Sequence, residues 1–185
     1  MREALERFPW VQEVSVHHTW PRGMDVSIVQ ATPAAIALTG DGRRLVVSDS
    51  GRVLGVDTTN RDLPTYRAPS LQVGARLRGP AQRAPFQVVT AMSSAAGRRV
   101  RDLRFERGVI VGRIEGGPKL ILGPPRQLWA KGRAIEAVLT NRAIAKDLVG
   151  AEYLDVSAPN QPMVGGLPAD GQDVPSTEGQ PSPTG

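Results

Sequence analysis

Few residues in this chain are equipped for chemistry. With no Cys and only two His among 185 residues, thiol catalysis, disulfide frameworks and thiolate metal sites are excluded. His17 and His18 are adjacent in a partly alternating stretch. Neighbouring residues of a strand point to opposite faces, so these two imidazoles do not converge on one metal ion. Ser48 and Ser50 flank Asp49 in a turn-forming run, which is ordinary Asx-turn chemistry. Gly116-Gly117-Pro118-Lys119 has the glycines of a phosphate-cradling loop, but no helix start follows to aim N–H groups at an anion. Neither a nucleophile elbow nor a pair of carboxylates in apolar surroundings is present. The expectation is a protein that is not an enzyme and that uses no cofactor and no metal.

Binding is the other class of function, and charge bears on it. Lys and Arg number 23 against 18 Asp and Glu. Setting aside the three acids near the C-terminus (Asp170, Asp173, Glu178) leaves 15, so the remaining body carries +8. A basic body favours anionic neighbours such as nucleic acid, acidic headgroups or cell-wall polymers. Arg98-Arg99-Val100-Arg101, with Arg104 and Arg107, is the densest basic run, and a basic nucleic-acid-binding module is the alternative reading it supports. Aromatic residues that would stack bases are scarce, and with three of them (Phe8, Trp10 and Trp20) in the first 20 residues they leave no sheet face of interleaved aromatic and basic positions. Arg is spread through a chain also rich in Ala and Gly, so a solvated basic face is expected, with no nucleic-acid partner.

The elements that would position any site read as follows. Ala4, Leu5 and Phe8 share a helical face that Pro9 ends. Residues 13–20 and 24–29 form a hairpin about Pro21-Arg22-Gly23, and the Pro21 turn folds Trp20 back towards Trp10. Pro33 interrupts pairing before the apolar run 34–38. Strands at 44–47 and 52–56 are joined by the turn at 48–51. Residues 57–79 hold Pro64 and Pro69 and show no sustained period beyond a brief strand at 71–73, which predicts a long surface connection. A helix follows, with Phe86, Val89, Thr90 and Met92 at helical intervals until Gly97. Strands at 100–105, 109–114 and 119–122 make a meander, and residues 126–148 make the longest helix. Residues 152–156 are a strand and 162–165 a last edge strand, where Pro162 is tolerated. This order predicts an α+β fold, largely antiparallel. The Pro- and Gly-rich stretch at 167–185 is expected to be a disordered tail. No run approaches the roughly 20 apolar residues that span a bilayer, so the chain as written is expected to be soluble.

Several segments together carry a family resemblance. Phe8-Pro9-Trp10-Val11, Val14-Ser15-Val16, Trp20-Pro21, Val26-Ser27-Ile28-Val29 and Pro33-Ala34-Ala35 resemble the second half of a POTRA domain in the FtsQ/DivIB bacterial cell-division family. Asp49-Ser50-Gly51-Arg52-Val53 is similar to the hairpin that opens that family's β domain. Gly108-Val109-Ile110-Val111 and Lys119-Leu120-Ile121-Leu122-Gly123 are similar to its later strands, Lys131 to a lysine often found in its next helix, and residues 153–156 and 163–165 to its closing strands. Gln30-Ala31 departs from the Glu-Arg pair the family carries before the Pro.

The resemblance implies three units: residues 1–37 as the C-terminal half of a POTRA domain (a helix plus a hairpin), 38–166 as a mixed, largely antiparallel β domain with two helices, and 167–185 as the tail. It also implies that the membrane-spanning helix and the first strand and helix of the POTRA domain lie outside this chain, which is then the extracytoplasmic part of a single-pass membrane protein at the division septum. The implied function is a non-enzymatic scaffold of the divisome in septum assembly. Its implied partners are FtsB-type and FtsL-type proteins and other divisome components. Edge-strand addition is the expected mode of docking, at Tyr153, Leu154, Asp155, Val156, Ser157, Pro162, Met163, Val164 and Gly165.

Overall fold

The computed structural model describes residues 4, 5 and 7–166. The expected tail, and Arg2, Glu3 and Glu6 of the expected first helix, lie outside these. Among the described residues the fold is α+β, with three sheets and four helices, and most strand pairs are antiparallel. No helix among them is long and apolar enough to cross a membrane.

The first sheet is a hairpin of β1 (Val11–Thr19) and β2 (Gly23–Gln30), in register from Thr19↔Gly23 to Val14↔Ile28. Val14, Val16, Met24, Val26 and Ile28 fall on one face, as the alternation requires. Only Val14 of these is buried, and every residue of β2 is exposed. The expected packing of Trp20 on Trp10 is not found. Trp20 is 92% exposed at the hairpin tip, while Trp10 packs near Phe8 at 5.8 Å between ring centroids. His17 and His18 are both exposed and on opposite faces.

The second sheet contains β3 (Pro33–Thr39), β4 (Arg44–Ser48), β5 (Val53–Val56) and β6 (Thr65–Ala68), in the order β5-β4-β3-β6. Pro33 opens β3 instead of interrupting it, and Pro33 pairs with Ser48. Residue 37, the expected end of the first unit, therefore lies inside this strand. The expected surface connection at 57–79 contains β6, which pairs parallel to β3 and buries Tyr66 completely. Residues 71–73 are not a strand, although Leu71 is buried.

The third sheet contains the meander β7 (Val100–Glu106), β8 (Val109–Ile114) and β9 (Lys119–Gly123), then β10 (Tyr153–Asp155) and β11 (Met163–Gly165). Its order is β11-β10-β9-β8-β7. Helix α1 (Gly79–Thr90) opens with Pro80 in its first turn, where a missing N–H costs nothing. It stops at Thr90, short of the expected Gly97. A separate short helix α2 (Ser94–Arg99) is capped by the Ser93 side chain. The expected helix over 126–148 is likewise two, α3 (Leu128–Thr140) and α4 (Arg142–Asp147). The break is at Asn141, whose side-chain oxygen accepts the Ala143 N–H at 3.0 Å. The β domain was expected to hold two helices, and caps at Ser93 and Asn141 cut those two patterns into four.

One apolar cluster joins the two larger sheets through α1 and α3, with Tyr66, Phe86, Val88, Leu103, Leu120, Ile135 and Leu154 inside it. The sheets meet where β6 lies beside β7, and there Arg67 donates to Asp102 at 2.7 Å.

Candidate functional site

The candidate site is built on the last two strands. After α4, Gly150 turns the chain at φ 91°, a left-handed conformation that favours glycine. β10 then lies parallel to β9, pairing Tyr153 with Lys119 and Asp155 with Ile121. The Lys119 N–H donates to Glu152 O at 2.9 Å and the Val156 N–H to Ile121 O at 2.8 Å, which fixes the register at both ends. The chain turns at Ala158–Gln161 and comes back antiparallel as β11.

Alternation sorts the expected site residues into two sets. Leu154 and Val164 pair on the core side, and Leu154 and Val156 have no exposed surface. As side chains, those two are placed to hold the strand and not to touch a partner, which corrects the expectation for both. Tyr153, Asp155, Met163 and Gly165 are on the outer side. Met163 is 63% exposed, and Pro162 and Ser157 are exposed as well. Asp155 accepts the Ser157 N–H at 2.7 Å, so its carboxylate stiffens the exit from β10. The Tyr153 ring covers Gly165, so a methyl group there would fall 2.1 Å from Tyr153 Cζ. Glycine is what allows the ring to lie on the edge.

β11 ends the sheet, with β10 on one side and no strand among the described residues on the other. Such a strand presents unpaired N–H and C=O groups along its free side. It is short and preceded by Pro162, both of which limit uncontrolled pairing with other chains.

Lys131 supports this region from behind. Only 2% exposed, it donates from Nζ to Leu122 O at 2.7 Å and to Pro124 O at 2.8 Å, so α3 grips the end of β9. Burial lowers its pKa from the ordinary lysine value, and the nearby Asp155 carboxylate partly restores it. The sequence carried a signal for this role, because Lys131 is three residues after Leu128 and four before Ile135, squarely on the apolar stripe.

Three of the five arginines of the basic run form ion pairs within the fold, and Arg99 donates to Leu139 O at 3.1 Å. Arg98 pairs with Asp62 at 3.3 Å, Arg101 with Glu115 at 2.7 Å and Arg104 with Glu106 at 3.0 Å. Guanidinium groups held this way are less available to phosphates. Compared with known proteins, no family model matches the chain and no curated protein matches it.

Proposed function

We propose that this chain is the extracytoplasmic part of a non-enzymatic division scaffold of the FtsQ/DivIB type, which takes up a strand from an FtsB-type or FtsL-type partner at β11. The observation that carries the reading is the position of β11 at the border of a five-stranded sheet. An added strand satisfies its outer main-chain groups, and Met163 and Tyr153 supply apolar anchors on the outer face. On this reading the membrane helix belongs to a part of the protein outside this chain, and the protein is held in the cell membrane at the septum. The internal ion pairs of Arg98, Arg101 and Arg104 favour this scaffold over a nucleic-acid module.

The test is calorimetric titration with an FtsB-type peptide. Binding is expected to change little with salt, because main-chain pairing and apolar contact dominate it. Met163→Glu is expected to weaken it at least tenfold, about 1.4 kcal/mol, while stability stays within about 0.5 kcal/mol because the site is on the surface. Unchanged affinity in Met163→Glu removes β11 as the docking strand. Binding to DNA that falls steeply with salt, in place of peptide binding, supports the nucleic-acid reading.

A further inference from the structure

The outer side of α1 presents Arg83, Gln87 and Thr90 at helical spacing, and clefts flank it on both sides. On one side a cleft of about 400 Å3 separates α1 from the Asp49-Ser50-Gly51 turn, with Arg76 and Arg83 in its walls. On the other, clefts of about 450 and 380 Å3 run beside Pro125, Leu128 and Trp129. Gln87 borders all three, so the clefts lie side by side across the exposed face of the helix.

This face has two chemical characters. Eight other arginines pair with acids, whereas Arg76 and Arg83 make no ion pair among the described residues. Asp49, which shares their cleft, accepts the N–H of Ser50 at 2.7 Å. At the opposite end Trp129 is 69% exposed, with the Arg133 guanidinium 5.9 Å from its ring centroid, next to Pro125. Two unpaired cations followed by an open aromatic face suit an extended, acidic, proline-containing strand of peptide.

We propose that the occupant is this chain's own C-terminal segment, residues 167–185, with its acids against Arg76 and Arg83 and its prolines against Trp129 and Pro125. That segment contains Asp170, Asp173 and Glu178, four prolines and no Lys or Arg, and it is tethered to a body carrying the opposite charge. It leaves the fold beyond Gly166, beside Glu152 at the start of β9. From there to Pro124 the five residues of β9 rise roughly 17 Å. Nineteen residues in an extended polyproline conformation span roughly 59 Å, so that face of α1 is well within reach. Tethering sets a local concentration on the order of millimolar, at which weak contacts suffice. This inference is independent of partner addition at β11.

The chain has no Cys, so Ser182→Cys gives a unique position for a nitroxide label, and line broadening of backbone amides reads where the label goes. Broadening is expected on α1 and at Leu128 and Trp129. It is expected to be lost in about 1 M salt, where screening acts over ~3 Å, and in the Arg76→Glu/Arg83→Glu variant. A second variant, Asp170→Asn/Asp173→Asn/Glu178→Gln, leaves the folded body untouched and is expected to lose it equally. No broadening, broadening confined to the hairpin or to β11, or broadening that survives the tail variant overturns the proposal. So does broadening seen only between a labelled and an unlabelled molecule, since that face then takes a second copy's segment.

Discussion

Tyr66 and Asp57 are both buried polar groups, and they make opposite contributions. The Tyr66 ring packs 6.0 Å from Phe86 in the centre of the core, but its hydroxyl has no hydrogen-bond partner among the described residues. Burial pushes its pKa up because a phenolate is disfavoured there. Tyr66→Phe keeps the ring and removes the stranded hydroxyl. It is expected to stabilise the protein by about 1 kcal/mol, a rise in Tm of about 2–4 °C at this chain length. A lower Tm in Tyr66→Phe means the hydroxyl does find a partner. Asp57 is buried too, which by itself raises its pKa. The Arg61 N–H at 3.2 Å and the Arg44 guanidinium at 3.0 Å outweigh that and hold the carboxyl below the ordinary aspartate value of 3.8. A group whose pKa falls on folding binds more protons when unfolded, so its stabilising effect is present above pH 3.8 and is lost as pH drops through the folded value. Asp57→Asn is expected to cost about 1.5–3 kcal/mol at neutral pH, the range for a hydrogen bond to a charged group. Denaturant titrations at a series of pH values are expected to show the gap from wild type closing below pH 3.8. A gap constant with pH excludes the carboxylate charge as its source.

At the scale of elements, α1 and α3 meet where Gly132 lies against Ala91 and Val88. A methyl group on Gly132 would be 2.6 Å from Ala91 Cβ and 2.7 Å from Val88 O. Alanine gains about 1 kcal/mol of helix propensity over glycine, but neither of those neighbours is the movable end of a long side chain. Forced separation of packed elements costs typically 1–3 kcal/mol, so Gly132→Ala is expected to lose about 1–2 kcal/mol in urea titration. A gain there means the helices already stand apart. The elements also mark where sequence reading succeeds. The hairpin and the meander are legible because alternation and Gly turns coincide in them, and the closing strands because alternation meets the Pro-Asn turn at 158–161. β6 was not, since Thr65–Ala68 is four residues between prolines and pairs parallel to β3, so no hairpin turn announces it. The helical period of 126–148 runs unbroken through Asn141, and only the cap reveals two helices. At the candidate site the alternation of Tyr153, Leu154, Asp155 and Val156 already divides outward from inward residues. What lies on the far side of β11 depends on the order of strands in the sheet, which local pattern does not encode.

For the molecule as a whole, burial is distributed unevenly, and stability should follow it. The two larger sheets share one core through α1 and α3, so they are expected to open only together. The Ala31 N–H closes the hairpin's own base on Trp10 O at 2.9 Å, and polar links tie the hairpin to the rest: the Asp49 N–H to Thr32 O at 2.9 Å, and Arg52 Nη1 to Val11 O at 3.1 Å. Val11 and Val14 are buried at its base, while Met24, Val26, Ile28 and Val29 are exposed along β2. A two-stranded hairpin with one open face is marginal by itself in water. Hydrogen exchange followed by mass spectrometry is therefore expected to divide the chain. Amides of β2 should exchange by local opening, orders of magnitude faster than those of β3, β4, β8 and β9, which exchange through global unfolding. Adding the Asp57→Asn substitution should accelerate the second group and leave the first unchanged, because only the second depends on the shared core. Equal protection of β2 and β8 means that the hairpin draws its stability from the same core, and the division fails.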